Sequence, residues 1–530
     1  MVKLILLLAL ASTPLVAQQR DSLAVTPAEL GAHLRFLSSD LLEGRFPGTR
    51  GEALTTAYLT TQLEALGAQP GFKGAWLQPV TIVTHDPVPD AAPAIKLTGR
   101  VTRSLEHGVH LRLANYSSAG EVETGGDVVF VGYGIHAPVY NWDDFAGLDL
   151  QGKVVVALLG EPAIPGDSIR FNGVRASRFS WATDKLREME RRGAVGVLWL
   201  RPAGGFARTP PGGLRRLKED AARATLGFTG NVTDSTLALL LPPGSPSVTE
   251  LVAAAARPGF RPLPLGTRLD VRFRTNPRDV LTHNVVAVVP GTDPARTGEH
   301  VVISAHWDAY GVGRAIQGDS IYNGALDDAS GVTSMLALAR VFARHPQPRS
   351  LTFLFTTAEE WGLLGAQAFV SQGPVATDKI VANLNLDDGI ELFGLKRDAA
   401  PLGVELSTLG GTASEVARKM GLRMAPDPYP EEGFFLRADN YPFARAGVPA
   451  LYMALGTDAE GRPAGWVDSK VKEYLNTHYH RPSDDYATVV IDLRGVVQYA
   501  NFVRDVTIAV ARAKGRPEWV KGGEFQRTSP

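Results

Sequence analysis

An α/β fold, a mixed and mostly parallel sheet flanked by helices, is what this 530-residue sequence predicts, and three observations predict it. Short apolar runs of strand length recur at residues 301–305 (VVISA), 351–355 (LTFLF) and within IVANLNLDDG. Helical spacing lies between them, clearest at Val332, Met335, Leu336, Ala339 and Phe342. Strands alternating with amphipathic helices argue for a sheet covered on both faces. Finally, His, Asp or Glu stands where each run stops, and in such sheets ligands bind at the carboxyl ends of the strands.

In chain order, residues 1–17 (MVKLILLLALASTPLVA) join a Lys, a short apolar core and a small residue before Gln18, the pattern of a secretory signal peptide. That stretch is too short to span a membrane stably, and no later one reaches the roughly 18 uninterrupted apolar residues a membrane helix needs. Without Cys there is no lipid-anchor site, so the expectation is a periplasmic or secreted protein with no membrane anchor. Residues 18–119 hold helix candidates in TPAELGAHLRFLSSDLLEG and EALTTAYLTTQLEALG. Residues 120–266 change texture to short β-rich runs bounded by Gly and Pro, as in GDVVFVGYGI, GKVVVALLGEP and GAVGVLWLRPA, and read as an inserted second domain. Residues 267–515 resume the strand and helix alternation, and residues 516–530 read as a mobile tail. A hydrophobic content of 44% can fill cores of this size, and a net charge of -1 leaves no basic face for nucleic acid. Oligomeric state is not legible.

The pair Glu359 and Glu360 in LTFLFTTAEEWG carries the most information. Adjacent side chains leaving a strand point to opposite sides, so one carboxylate can grip a metal while its neighbour faces a substrate. Alone, such a pair is ordinarily solvated helix surface. Here other segments answer it. VVISAHWDAYG delivers His306 and Asp308 two residues apart; NGALDDASG places Asp327 and Asp328 just before a helix; IVANLNLDDG ends on Asp387 and Asp388; THYHRPSDDY supplies His478 and His480. Converging carboxylates repel by about 4 kcal/mol per close pair at an effective dielectric near 20, and cations remove that repulsion. Imidazole and carboxylate ligands without thiolates suit zinc, with manganese or cobalt as alternatives.

These motifs, in this order, resemble the co-catalytic dizinc exopeptidases, a family that includes secreted bacterial aminopeptidases and glutamate carboxypeptidases. HWD is similar to its His-x-Asp, NGALDDASG to its bridging-aspartate loop, TTAEEWGLLG to its Glu-Glu segment, NLNLDD to its Asn-x-Asp strand end, and YHRPSDD to its closing loop. The resemblance implies two Zn2+ ions bridged by Asp327, with His306 and Asp387 completing one site and Glu360 and His480 the other. It makes Glu359 the general base, acting on water held between the ions. Asp308 would accept a hydrogen bond from the far nitrogen of His306, Tyr479 would stabilise the tetrahedral intermediate, and the Asp327–Asp328 peptide would be cis. His478 competes with His480, which the loop pattern favours. Asp328 and Asp388 are expected to bond backbone rather than metal. Residues 120–266 resemble a protease-associated domain, with VGYGI, YNWDDFAGLDLQGKVV and RRGAVGVLWL as landmarks.

One block departs from the family: in LRADNYPFARAGVPALYM, Ala438 and Asn440 flank Asp439. Arg437 there either meets a substrate carboxylate or pairs with Asp439, and pairing is the preferred reading. The expected activity is release of N-terminal residues from a peptide substrate. The alternatives are a carboxypeptidase on the same scaffold, a glutaminyl cyclase, which usually has a single zinc, and a peptide-binding relic.

Overall fold

The computed structural model describes residues 24–99, 102–164, 166–167, 170–173, 175–200 and 214–526; the leader expected at 1–17 lies outside them. Helices α1 (Pro27–Leu37) and α2 (Arg50–Leu66) precede strand β1 (Leu77–Pro87). Thr26 starts α1, its hydroxyl accepting from the Glu29 amide beside a Pro whose missing N–H costs nothing there. A run of β2 (Glu121–Phe130), β3 (Val154–Leu158), α3 (Ala182–Arg191), β4 (Gly196–Leu200) and β5 (Phe228–Val232) follows. Next come the long β6 (Leu263–Val289), β7 (His300–His306), α4 (Ser330–Arg344), β8 (Ser350–Thr356), α5 (Leu364–Gln372) and β9 (Ile380–Leu386). Strand β10 (Ala450–Met453) and helices α6 (Trp466–Thr477) and α7 (Leu493–Arg512) complete the frame.

Two halves of one mixed sheet meet on β6. Its C-terminal half lies against β8 in the order β10–β9–β7–β8–β6, with the first four strands parallel and β6 antiparallel to β8 and to β1. Its N-terminal half pairs antiparallel with β2, beyond which β3, β4 and β5 run parallel. Strands Ala94–Thr98 and Leu111–Asn115 also join this second half, ahead of residue 120. Both halves are reached by a single continuous strand of 27 residues, which fixes one sheet to the other through the backbone itself.

The central strands read as unbroken apolar runs because both faces are covered. Val301, Ile303, Ala305, Leu351, Phe353 and Phe355 pack into a core with α1, α4 and α7, whereas Val302 and Leu354 pack on the other face with Phe369 of α5 and Phe443. Each such Val, Ile, Leu or Phe side chain contributes roughly 2 kcal/mol on burial. The five helical positions read from the sequence of α4 are all buried, and α4 is buried around most of its circumference because α7 covers its outer side.

Residues 516–526 do not trail free, a correction to the expected mobile tail. Trp519 donates its indole N–H to the Gly447 carbonyl at 2.9 Å, and Phe525 is buried against Trp519, Phe435 and Tyr441. The Glu524 carboxylate accepts from Tyr140 at 2.7 Å and from the Arg178 amide at 2.9 Å, so the segment fastens the second half to the first. The polar, Gly-rich sequence there conceals two large apolar anchors. Among the described residues no helix is long and apolar enough to cross a membrane.

Candidate metal centre

Register decides where the chemistry gathers. His306 closes β7 opposite Thr356, the last residue of β8, and Ser304 of β7 pairs with Asn385 of β9. The residues that follow, Glu359 and Glu360 after β8 and Asp387 after β9, therefore emerge on one rim beside His306. Asp327 arrives from the tight turn Ala325–Ala329 ahead of α4, and His480 from the loop after α6. The Asp327–Asp328 peptide is cis.

One carboxylate stands between two imidazoles. Asp327 Oδ1 lies 3.0 Å from His306 Nε2, and its Oδ2 lies 3.3 Å from His480 Nε2. His306 Nε2 is also 3.7 Å from Asp387 Oδ1 and 3.9 Å from Glu359 Oε2; His480 Nε2 is 3.3 Å from Glu360 Oε2. Asp327, Glu360 and His480 each offer a donor atom within 4.8 Å of the others. Asp328 offers one to His306 and Asp387 on the same criterion, yet both its oxygens are taken by backbone, from His306 N at 3.1 Å and Gly331 N at 2.9 Å. Asp388 likewise accepts from Leu455 N at 3.2 Å, and His478 turns to Ser483 at 3.0 Å.

Electrostatically the cluster is overcharged. Burial, reinforced by Asp387 and Glu360 and opposed by His306, raises the Glu359 carboxyl well above the usual range. Asp387 is raised for the same first reason. Asp327 instead is held far below the carboxylate range, because hydrogen bonds and charge from His306 and His480 overcome its burial. Around His480, burial is outweighed by Glu360 and Asp327, which push the imidazole up to about 10. Nε2 of His480 is buried and makes no hydrogen bond. A buried imidazole nitrogen without a hydrogen bond, facing two carboxylates at 3.3 Å, calls for a partner, and a divalent cation would satisfy all three groups. The donor set fits zinc.

Two expectations need adjustment. Nδ1 of His306 meets the main-chain carbonyl of Asp308 at 3.0 Å, while the Asp308 carboxylate stands 3.7 Å away and accepts instead from Glu359 N at 3.1 Å. Asp308 thus ties the His306 loop to the Glu-Glu turn. Arg437 does not pair with Asp439. Its Nη2 donates to the Tyr479 hydroxyl at 3.0 Å, its Nη1 faces Glu432 and its guanidinium lies over the Phe434 ring, because Asp439 is buried against the Thr356 hydroxyl. Tyr479 itself reaches the site through this bond and through its ring, centred 3.6 Å from that of His480.

Sequence reading missed Arg45, Asp484 and Tyr310. Buried Arg45 donates to the carbonyls of Trp307, Asn323 and Gly324, stapling the His306 loop to the Asp327 turn. Asp484 accepts from the amides of Leu326 at 2.9 Å and Asp327 at 3.3 Å, tying the His480 loop to the same turn. Tyr310 meets His480 Nδ1 at 3.0 Å. Asp484 stood inside YHRPSDD and Tyr310 inside VVISAHWDAYG, whereas nothing local marks Arg45. Beside the centre lies a mostly apolar cavity of about 110 Å³, lined by Leu326, Ile390, Phe393, Leu402, Tyr452 and Leu455 and reaching Asp327, Glu359 and Asp387.

Residues 284–507 match the model of peptidase family M28. A probable leucine aminopeptidase 2 of Aspergillus fumigatus is 35% identical over 254 residues, 44% of this chain and 48% of that protein. A probable leucine aminopeptidase 2 of Aspergillus oryzae is 36% identical over 107 residues, 20% of this chain and 19% of that protein. This chain thus spans less than half the length of either relative. Among solved structures, the aminopeptidase from Aneurinibacillus sp. strain AM-1 shares the fold, with a TM-score of 0.51 at 19% identity over 93% of this chain and 95% of that one. Residues 284–507, the part of the chain that matches peptidase family M28, supply every candidate ligand atom described above.

Proposed function

We propose that this protein is a zinc-dependent exopeptidase, acting as an aminopeptidase on peptides, with two ions per centre. One observation carries the reading: Asp327 faces both imidazoles, each of which faces a further carboxylate, with Glu359 beside them at the mouth of an apolar cavity. Asp327, His306 and Asp387 would hold one ion, and Asp327, Glu360 and His480 the other. Bound there, zinc supplies Lewis acidity that polarises a carbonyl and makes water a nucleophile at neutral pH. Glu359 takes the proton from the attacking water and returns it to the leaving amine. The Tyr479 hydroxyl, oriented by Arg437, donates toward the developing oxyanion. The apolar cavity takes the side chain of the released residue.

Carboxypeptidase action is the second reading, favoured by Arg437, a cavity-lining guanidinium able to meet a substrate carboxylate. The second half of the sheet is proposed to be an inserted protease-associated unit that roofs the cleft. Secretion, with peptides as the only partners, belongs to the same proposal. Incubating the protein with free and N-blocked peptides, with and without chelator, and weighing the products tests it. Chelator-sensitive loss of N-terminal residues from free peptides only is expected. Cleavage of blocked peptides from the other end selects the carboxypeptidase, and no chelator-sensitive turnover overturns both.

A further inference from the structure

His480 is the most exposed of the imidazole and carboxylate groups around Asp327, with 30% of its side chain accessible, and it sits in a loop with left-handed backbone, φ 56°. A non-glycine residue in that conformation persists only where its surroundings hold it. The ring packs against two tyrosines, Tyr479 at 3.6 Å and Tyr310 at 4.4 Å between centroids. Of its nitrogens, Nε2 faces Asp327 and Glu360, and Nδ1 lies 3.0 Å from the Tyr310 hydroxyl. If Nε2 is to offer a lone pair, Nδ1 must carry the proton, and Tyr310 is where that N–H goes.

We propose that Tyr310 is a positioning residue for the second ion site: its hydroxyl fixes the tautomer and direction of His480. This rests on the metal centre proposed above. The two imidazoles are then held unlike each other. His306 Nδ1 uses a main-chain carbonyl, that of Asp308, which no substitution removes. His480 Nδ1 uses a side chain, so the second site can be weakened separately from the first.

The test is titration of metal-free protein with Zn2+ in competition with a chromophoric chelator. Wild type is expected to take two ions, and His480→Ala identifies the event belonging to the second site. Tyr310→Phe keeps the ring and removes the hydroxyl; it is expected to weaken that same event by about 10–100-fold and leave the first unchanged. Tyr322→Phe deletes a hydroxyl from the same corner that bonds the Arg314 carbonyl instead, and is expected to change neither. Unchanged binding in Tyr310→Phe, or equal weakening of both events, overturns the role of Tyr310 alone. Wild type taking fewer than two ions overturns the centre itself and the Tyr310 role with it.

Discussion

Each half of the sheet buries charge near the ends of its parallel strands, and the two do it to opposite effect. In the second half, Lys185 donates to the carbonyls of Leu158 at 2.9 Å and Gly160 at 2.6 Å. Nearby Asp144 accepts from Ile135 N at 3.0 Å and Trp142 Nε1 at 2.8 Å, and Glu161 from the amide and hydroxyl of Ser177. There the buried amine and the buried carboxylates answer one another. In the first half, four carboxylates meet two imidazoles, and the Asp308 Oδ2, Asp439 Oδ1 and His480 Nε2 atoms are buried without a hydrogen bond. Buried charge that the chain satisfies itself is architecture, and buried charge left over marks a place for something the chain does not contain.

Substitutions can break that contrast. Glu359→Gln in the first half is expected to keep its zinc and lose about 10²–10⁴-fold in turnover, read by steady-state kinetics beside metal analysis of the same sample. Next in size, Lys185→Met in the second half strands two buried acids and should cost about 3 kcal/mol in a denaturant titration, with kcat per folded molecule unaltered.

The same lysine gives a pH signature. Burial lowers its pKa to about 7 from 10.5, with Asp144 and Glu161 opposing. Between those values the unfolded chain binds the extra proton, so this group adds stability as pH rises above 7, and Lys185→Met should lose that increment. Denaturation midpoints of both proteins at pH 7 and pH 9 measure it; an unchanged difference would mean Lys185 is fully charged in the fold. Smallest is the exposed pair Lys218 and Asp279, 51% and 47% accessible. Lys218→Ala should shift stability by less than about 1 kcal/mol and leave turnover alone.

What was legible in the sequence was mostly local. The apolar runs that became β7, β8 and β9 declared themselves because strands buried on both faces carry no polar alternation, and the helix spacing of α4 did the same. Each donor residue stood at a run's end, which register then aligned. Reading failed where a side chain's partner comes from far away. Arg437 next to Asp439 looks like a pair until the fold turns Asp439 inward to Thr356 and leaves the guanidinium to Tyr479, 42 residues on. The tail failed for the same reason: Phe525 is anchored by Phe435 and Tyr441, invisible from GGEFQRTSP.

By itself, then, the sequence determined the kind of sheet and the chemical identity of the donors, since hydrophobic periodicity and side-chain chemistry are carried by neighbours in the chain. The tertiary structure alone decided which atoms face one another: that Asp327 lies between two imidazoles, that Arg45 and Asp484 pin its turn, and that a tyrosine receives the far nitrogen of His480. Those contacts depend on strand register and loop path, which are set by packing across the whole core rather than by any single stretch of chain.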